Sequence, residues 1–207
     1  TGDTKYYYYD LVINDTTHNG KLEIKIPKQK VYDKVGNPNE ETTLETSIEF
    51  RSVYYIKFDK NETNVSGVIG TMQVLEMIYD TPKKLTRNTY TKTGYTFKGW
   101  ANNKGSATVE YNDEEEVKNL AETGTITLYA VFKDETPPTC ITSKNNTGST
   151  SGVSLTVTCN DTGSGVASCA ESNSVTTVTK SGVKSSSTYT VTDKAGNSGS
   201  CTVSIST

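Results

Sequence analysis

The chain has 207 residues, of which 32% are hydrophobic and 22% charged, and its net charge is −3. This composition is too polar for one thick core, yet its Tyr, Val, Ile and Thr content is typical of strands, so we expect several thin β-sheets in small domains. Acidic and basic residues are interspersed, which argues against nucleic acid or a membrane surface as a partner. No apolar run approaches the roughly 18–20 residues that cross a bilayer. Because the chain starts at Thr1 without a signal-peptide pattern, we expect a fragment of a longer protein.

The first predicted strand covers 21–27, where Leu22, Ile24 and Ile26 share one face and charged residues occupy the other. A turn sequence follows at 31–37 and returns, with small changes, at 191–197. In both copies an Asp can accept hydrogen bonds from the amides ahead of it, and a Gly can take the positive φ that closes a hairpin. The predicted turn residues are Asp33, Gly36 and Asn37 in the first copy and Asp193, Gly196 and Asn197 in the second.

In the middle of the chain, Gly94 and Gly99 bracket a short aromatic strand, and the alternating residues of 126–132 predict a core strand. The acidic stretch Glu114–Glu116 is typical of a solvated helix start, and we expect one or two helical turns up to Leu120. With Tyr111–Asp113, these segments resemble the internalin-type B repeat, also called the Listeria-Bacteroides repeat, over residues 53–134. The resemblance implies a β-grasp-like fold, in which Asp59–Glu62 replaces a glycine-rich turn of the family. We expect its core to contain Tyr95, Phe97, Trp100, Leu120, Leu128 and Phe132.

The last third predicts short strands at 155–159, 189–191 and 201–205, with a dense cluster of turn formers at 160–165. Within that cluster the predicted turn residues are Asp161, Gly163 and Gly165. Together with Thr136–Thr139 and the second copy of the repeated turn, these segments resemble the bacterial immunoglobulin-like repeats of surface proteins. The resemblance implies a β-sandwich over 135–207, and residues 1–52 resemble the C-terminal part of such a module.

All four cysteines lie in this last segment, without C-x-x-C spacing, which indicates two disulfides and hence an exported protein. In the immunoglobulin-like fold the first and last strands commonly run side by side, which favours Cys140 with Cys201 and leaves Cys159 with Cys169. Cys140 with Cys159 and Cys169 with Cys201 stays open as an alternative. The segment has no Phe or Trp, so we expect it to need crosslinks for stability.

Several possible sites also have a structural interpretation, and we expect no catalytic residue, no metal and no cofactor. Asp161–Gly163 matches the Asp-Thr-Gly signature of aspartic proteases, but that chemistry needs two such carboxylates and one copy is present. His18 lies in a predicted turn without a nucleophile set around it. Trp100 could serve a sugar-stacking platform, although a core position is favoured. Calcium is an open alternative to turn capping for Asn160, Asp161, Asp193 and Asn197.

These features favour a non-catalytic stalk or adhesin fragment of a secreted bacterial protein located at the cell surface or cell wall. The partner, a host or neighbouring-cell protein or a glycan, is unknown, and we expect a monomer. The alternative function is a spacer or carbohydrate-binding accessory region of a large secreted enzyme.

Overall fold

The computed structural model describes residues 20–21, 24–44, 49–145 and 152–205. Within these ranges the chain is all-β, with seventeen short strands and no helix, so the prediction of a mainly β chain is confirmed. Leu22 and the turn predicted around His18 lie outside the described residues. The chain divides into two compact units, whose described residues lie within 20–57, 74–86 and 114–127 for the first and within 58–73, 87–113 and 128–205 for the second, with the gaps given above.

The first unit contains short antiparallel pairs. The pairs are β1 (Gly20–Lys21) with β4 (Glu49–Phe50), β2 (Ile24–Ile26) with β3 (Thr42–Leu44), β5 (Val53–Asp59) with β6 (Leu75–Ile78), and β7 (Lys83–Lys84) with β9 (Glu116–Val117). Successive side chains of a strand point to opposite faces, which is why Tyr54 and Ile56 of β5 and Met77 of β6 are fully buried. The last two residues of β5 belong to the second unit.

The turn at Asp33–Asn37 also lies in the first unit. Oδ1 of Asp33 accepts hydrogen bonds from the amides of Val35 and Asn37, both at 2.9 Å, and Nδ2 of Asn37 donates to Oδ2 at 2.8 Å. Gly36 has a φ of +92°, which any larger residue adopts only at a cost. The bonds from Asn37, above all the one from its amide, hold the pKa of Asp33 below its usual value, while the turn stays exposed to solvent.

The helical turns predicted from Glu114 to Leu120 are wrong. Glu114 has a φ of +57° and Asn119 a φ of +56°, and both values are incompatible with a right-handed helix. Glu116 and Val117 form β9 instead, and the amide of Leu85 donates to the carbonyl of Glu115 at 2.9 Å. Pairing with β7 therefore overrides the local preference of an acidic stretch for a helix start.

In the second unit, an aromatic cluster surrounds β8 (Thr96–Ala101) and the second half of β10 (Gly124–Lys133), which pair antiparallel. Trp100 is fully buried, and its ring centroid lies 4.7 Å from that of Phe58 and 5.0 Å from that of Phe97. Leu128 and Phe132 are buried as well. The cluster thus supplies the core of this part of the unit.

Asn61 adopts a left-handed backbone conformation in the turn after β5. Its φ is +56°, and its fully buried side chain accepts from the amide of Gly105 at 2.7 Å and donates to the carbonyl of Ser106 at 3.1 Å. Asn tolerates the left-handed conformation better than most residues. Satisfied side-chain hydrogen bonds therefore let the segment Asp59–Glu62 turn without a glycine.

The rest of the second unit consists of two sheets. The first sheet has the order β11-β12-β15, formed by β11 (Thr139–Asn145), β12 (Val153–Asn160) and β15 (Thr177–Val183); the second has the order β14-β13-β16-β17, formed by β13 (Val166–Cys169), β14 (Ser172–Asn173), β16 (Ser187–Asp193) and β17 (Ser198–Val203). Both sheets contribute to one small core, made of Leu155, Val157, Cys159, Cys169, Ala170, Val191 and Val203.

Both disulfides join one sheet to the other. Cys140 on β11 is bonded to Cys201 on β17, with Cα atoms 5.5 Å apart, and Cys159 on β12 is bonded to Cys169 on β13, with Cα atoms 5.9 Å apart. Cys140 lies directly opposite Cys159 in the β11–β12 register, yet each bonds across the core. Two covalent links therefore hold together a core that contains no Phe or Trp.

Candidate functional site

Three carboxylates meet at the ends of three strands in the second unit. Asp134 directly follows β10, Asp161 directly follows β12, and Asp193 is the last residue of β16. One oxygen from each lies within 4.8 Å of the others. Asp134 is 2% exposed and Asp193 3% exposed, which is rare for charged side chains. We call this group the three-aspartate cluster.

Asp134 is held by amides from two different loops. The amide of Thr136 donates to its Oδ1 at 3.0 Å, and the amide of Ser164 donates to its Oδ2 at 2.6 Å. Burial raises the pKa of Asp134, but the hydrogen bonds from Ser164 and Thr136 outweigh it and hold the pKa below the usual value. Asp134 is therefore ionised at neutral pH.

Asp161 has one oxygen satisfied and one without a partner. Its Oδ2 accepts hydrogen bonds from the amides of Gly163 at 3.0 Å and Gly165 at 2.6 Å, which closes the loop between β12 and β13. Its Oδ1 is buried from solvent and has no hydrogen-bond partner among the described residues. A buried polar atom without a partner is unusual, because losing water without a replacement costs about 1–3 kcal/mol.

Asp193 and Asn197 repeat the hydrogen bonds of the exposed Asp33 turn. The amide of Asn197 donates to Oδ1 of Asp193, and Nδ2 of Asn197 donates to Oδ2, both at 2.8 Å. The same Nδ2 also donates to the carbonyl oxygen of Asp134 at 3.1 Å. The two turns share these bonds from the asparagine, and among the described residues only the second copy belongs to a group of three carboxylates.

Further contacts draw the surrounding loops together. The amide of Lys194 donates to the carbonyl of Gly165 at 2.9 Å, and the amide of Ala195 donates to Oγ of Ser164 at 3.1 Å. Gly94, with a φ of +76°, approaches the backbone of Thr162 so closely that a Cβ atom would collide with it. The loops carrying Asp161 and Asp193 and the turn at Gly94 are thus packed around the cluster.

No described Lys or Arg forms a salt bridge with any of the three carboxylates. The three carboxylates lie close enough to repel one another, and the hydrogen bonds from backbone amides offset that repulsion. The charges also affect Tyr95, whose pKa is raised by burial and then by the negative charges of Asp134, Asp161 and Asp193. The cluster is therefore a focus of negative charge that amide hydrogen bonds stabilise and that no described cation is paired with.

The other sequence candidates do not join this cluster as ligands. The side chain of Asn160 is exposed, and Asn197 directs its Nδ2 group, a donor, at the cluster. Trp100 has no exposed face and cannot stack on a sugar. His18 lies outside the described residues.

The structure therefore adds Asp134 to two residues that the sequence had singled out. The one signal for Asp134 was its position, as an acid directly after a predicted core strand.

Residues 54–131 match the model of the Listeria-Bacteroides repeat domain. This match supports the resemblance drawn from the aromatic strand and the closing core strand, and the matched repeat ends shortly before Asp134. None of the curated proteins and none of the solved structures that were compared matches the chain. Among the described residues, no helix could span a membrane.

Proposed function

We propose that this chain is a non-catalytic part of a secreted bacterial surface protein, in which small β modules in series form a stalk or adhesive region. The proposal takes 53–134 as a β-grasp-like B repeat, 135–207 as an immunoglobulin-like sandwich, and 1–52 as part of another such module. The repeat match at 54–131 supports it. Two disulfides also support it, because they persist in oxidising compartments outside the cytosol.

The observation that carries the stalk function is the position of the Cys140–Cys201 bridge. Cys140 lies on the first strand after the repeat and Cys201 on the last described strand, so the bridge spans nearly the whole segment. A force that pulls on both ends of the chain therefore acts on this covalent bond before it acts on the hydrogen bonds of the strands that lie between Cys140 and Cys201. A segment of this kind transmits tension without being drawn out, which is what a stalk requires.

Surface location is tested with antibodies raised against the chain. Intact cells of a strain that carries the gene should be labelled, while a cytoplasmic protein of the same strain should be labelled only after permeabilisation. Labelling of the chain only after permeabilisation would contradict the proposal.

Adhesion is tested separately with the purified, oxidised chain on a glycan array and on immobilised cell-surface proteins. Saturable binding to a glycan that survives reduction of the disulfides would favour the carbohydrate-binding accessory function instead. Binding to surface proteins would agree with an adhesive region. Absence of binding, together with resistance of the chain to extension by force, would agree with a stalk.

A further inference from the structure

We propose that the two disulfides of the second unit have different roles. Cys140–Cys201, the outer bridge, is a redox-sensitive lock that a dithiol outside the cell opens while the strands around it stay folded. Cys159–Cys169, the inner bridge, stays closed under the same conditions and holds the core. The order of opening follows from the described strands of this segment, whereas its effect on the extension of the chain rests on the stalk function proposed above.

The two bridges differ in how far their cysteines are buried. Cys159 is 3% exposed and Cys169 is fully buried, and both belong to the small core between the two sheets. Cys140 and Cys201 are half-buried and pack against that core without belonging to it. A disulfide is opened by a thiolate that attacks one of its sulfurs, so the rate depends on access to that sulfur. An attacking thiol therefore meets the outer bridge first.

The positions of the strands explain this difference. Among the described residues, β11 and β17 each end the strand order of their sheet, and the outer bridge joins these two edge strands. The inner bridge joins β12 and β13, each of which has a neighbouring strand on both sides. Ile141, which follows Cys140 on β11, is 71% exposed. The outer bridge thus lies at a border of the two sheets and the inner bridge between their middle strands.

Opening the outer bridge leaves the hydrogen bonds of its strands in place. β11 pairs with β12 along Thr139–Asn145, and β17 pairs with β16 along Ser198–Val203. Nζ of Lys144 also donates to the carbonyl of Ser204 at 2.6 Å, which ties the end of β11 to the residues after β17. The inner bridge still joins the two sheets. The segment therefore stays folded, and the two freed thiols stay close enough to form the bridge again.

Loop length argues in the opposite direction, but it does not decide the order. The outer bridge joins residues 61 positions apart and the inner one residues 10 apart, and a bridge that closes a longer loop restricts the unfolded chain more. This effect counts only when reduction is coupled to unfolding. Because the segment stays folded after the outer bridge opens, access to the sulfurs decides which bridge is reduced first.

The opening reaction is an ordinary thiol–disulfide exchange. A thiolate of the dithiol attacks one sulfur of the outer bridge, so that a mixed disulfide forms, the Cys140–Cys201 bond breaks, and the other cysteine leaves as a thiolate that takes a proton from water. The second thiol of the reductant then attacks the mixed disulfide. Two electrons pass from the dithiol to the bridge, which becomes two thiols, and the dithiol leaves as a disulfide. The reverse exchange with a small disulfide closes the lock.

The extensibility of the chain then depends on the redox conditions outside the cell. In the oxidised chain, the outer bridge withdraws its interval of 61 positions from any extension. After the outer bridge has been reduced, only the interval of 10 positions within the inner bridge is withdrawn. A stalk of this kind keeps its length in an oxidising medium and yields to tension where a dithiol is present.

The experiment uses the complete 207-residue chain, fully oxidised and without denaturant. Dithiothreitol, a small dithiol, is added at rising concentrations, samples are quenched with iodoacetamide at intervals, and peptide mass spectrometry gives the alkylated fraction of each cysteine. We expect Cys140 and Cys201 to be alkylated together, at least about tenfold faster than Cys159 and Cys169, because the outer bridge is the more accessible one. Samples in which only the outer bridge is reduced should still unfold cooperatively in urea.

Two matched variants isolate the bridges. Cys159→Ser/Cys169→Ser keeps only the outer bridge and Cys140→Ser/Cys201→Ser only the inner one, and each remaining bridge should be reduced within about twofold of its wild-type rate. A second control repeats the wild-type measurement in urea concentrations that unfold the chain. Access is then equal, and the two rates should agree within about threefold. The wild-type measurements decide the test if a variant does not fold.

Equal rates for the two bridges in the folded chain would overturn the proposal. Faster reduction of the inner bridge, or loss of cooperative unfolding once the outer bridge is open, would overturn it as well. A difference of about tenfold that persists in unfolding urea would show that access is not the cause. All these measurements are made on the purified chain, so absence of the protein from the cell surface would contradict the function proposed above without changing the order of reduction.

Discussion

The Cys140–Cys201 bridge limits how far the chain can be extended, and the limit can be calculated. The bridge joins residues separated by 61 positions, which would span about 200–220 Å at about 3.3–3.6 Å per residue. With the bridge closed, the same interval contributes only the 5.5 Å between the two Cα atoms to the length of the extended chain. The oxidised chain should therefore be about 195–215 Å shorter at full extension than the reduced chain.

While the Cys140–Cys201 bridge is closed, the Cys159–Cys169 bridge does not shorten the extended chain further, because both of its cysteines lie inside the loop that the outer bridge closes. In Cys140→Ser/Cys201→Ser the inner bridge alone hides 10 residues, or about 27–30 Å once the 5.9 Å between its Cα atoms is subtracted. Single-molecule force spectroscopy with handles at both ends of the chain resolves these two lengths. Each variant is compared with its own reduced form.

The double variant also separates the two possible pairings. If Cys140 were bonded to Cys159 and Cys169 to Cys201, the two substitutions would break both bridges, and the oxidised and reduced variant would reach equal length. That result would refute the pairing, and equal lengths for the oxidised and reduced wild-type chain would refute the bridges altogether.

Three further predictions concern stability. Trp100→Ala should lower the free energy of unfolding, measured with urea, by about 3–5 kcal/mol. Trp100→Phe should lower it far less, because this variant keeps a ring in the aromatic cluster and removes the buried Nε1, which has no partner among the described residues. Gly124→Ala should lower the free energy of unfolding by about 1–2 kcal/mol, and Gly94→Ala should lower it by more. Both glycines have positive φ, but of the two only Gly94 has a neighbouring backbone that a Cβ atom would meet. Equal losses for the two variants would argue against that packing. Asp134 has a lowered pKa in the folded state, so its contribution is complete above the unfolded pKa of about 3.9 and is lost as the pH falls through the lower folded value. In EDTA, stability should thus fall more steeply below about pH 4 for the wild type than for Asp134→Asn, and parallel pH profiles would contradict the role of its hydrogen bonds.

Features of this protein that depend on neighbours in the chain could be predicted from the sequence. The Asp33 and Asp193 turns are closed by bonds between residues at most four positions apart, so the residue types alone indicate their geometry. The core strand at 126–132 was visible because alternation is a local pattern that a buried strand must satisfy. The acidic stretch after Asp113 shows the limit of such patterns, since it becomes strand β9 by pairing with β7.

The sequence by itself determined that the chain is mainly β, that residues 54–131 match the Listeria-Bacteroides repeat, and that its aspartate turns are closed by a glycine and an asparagine. Only the tertiary structure decided that Asp134, Asp161 and Asp193 share one site, and that both disulfides cross between sheets. The physical reason is how far apart in the sequence the interacting residues lie. Hydrogen bonds within a turn are set by the residues of that turn, whereas repulsion among three carboxylates and the burial of an oxygen depend on segments that meet only after the sheets have packed.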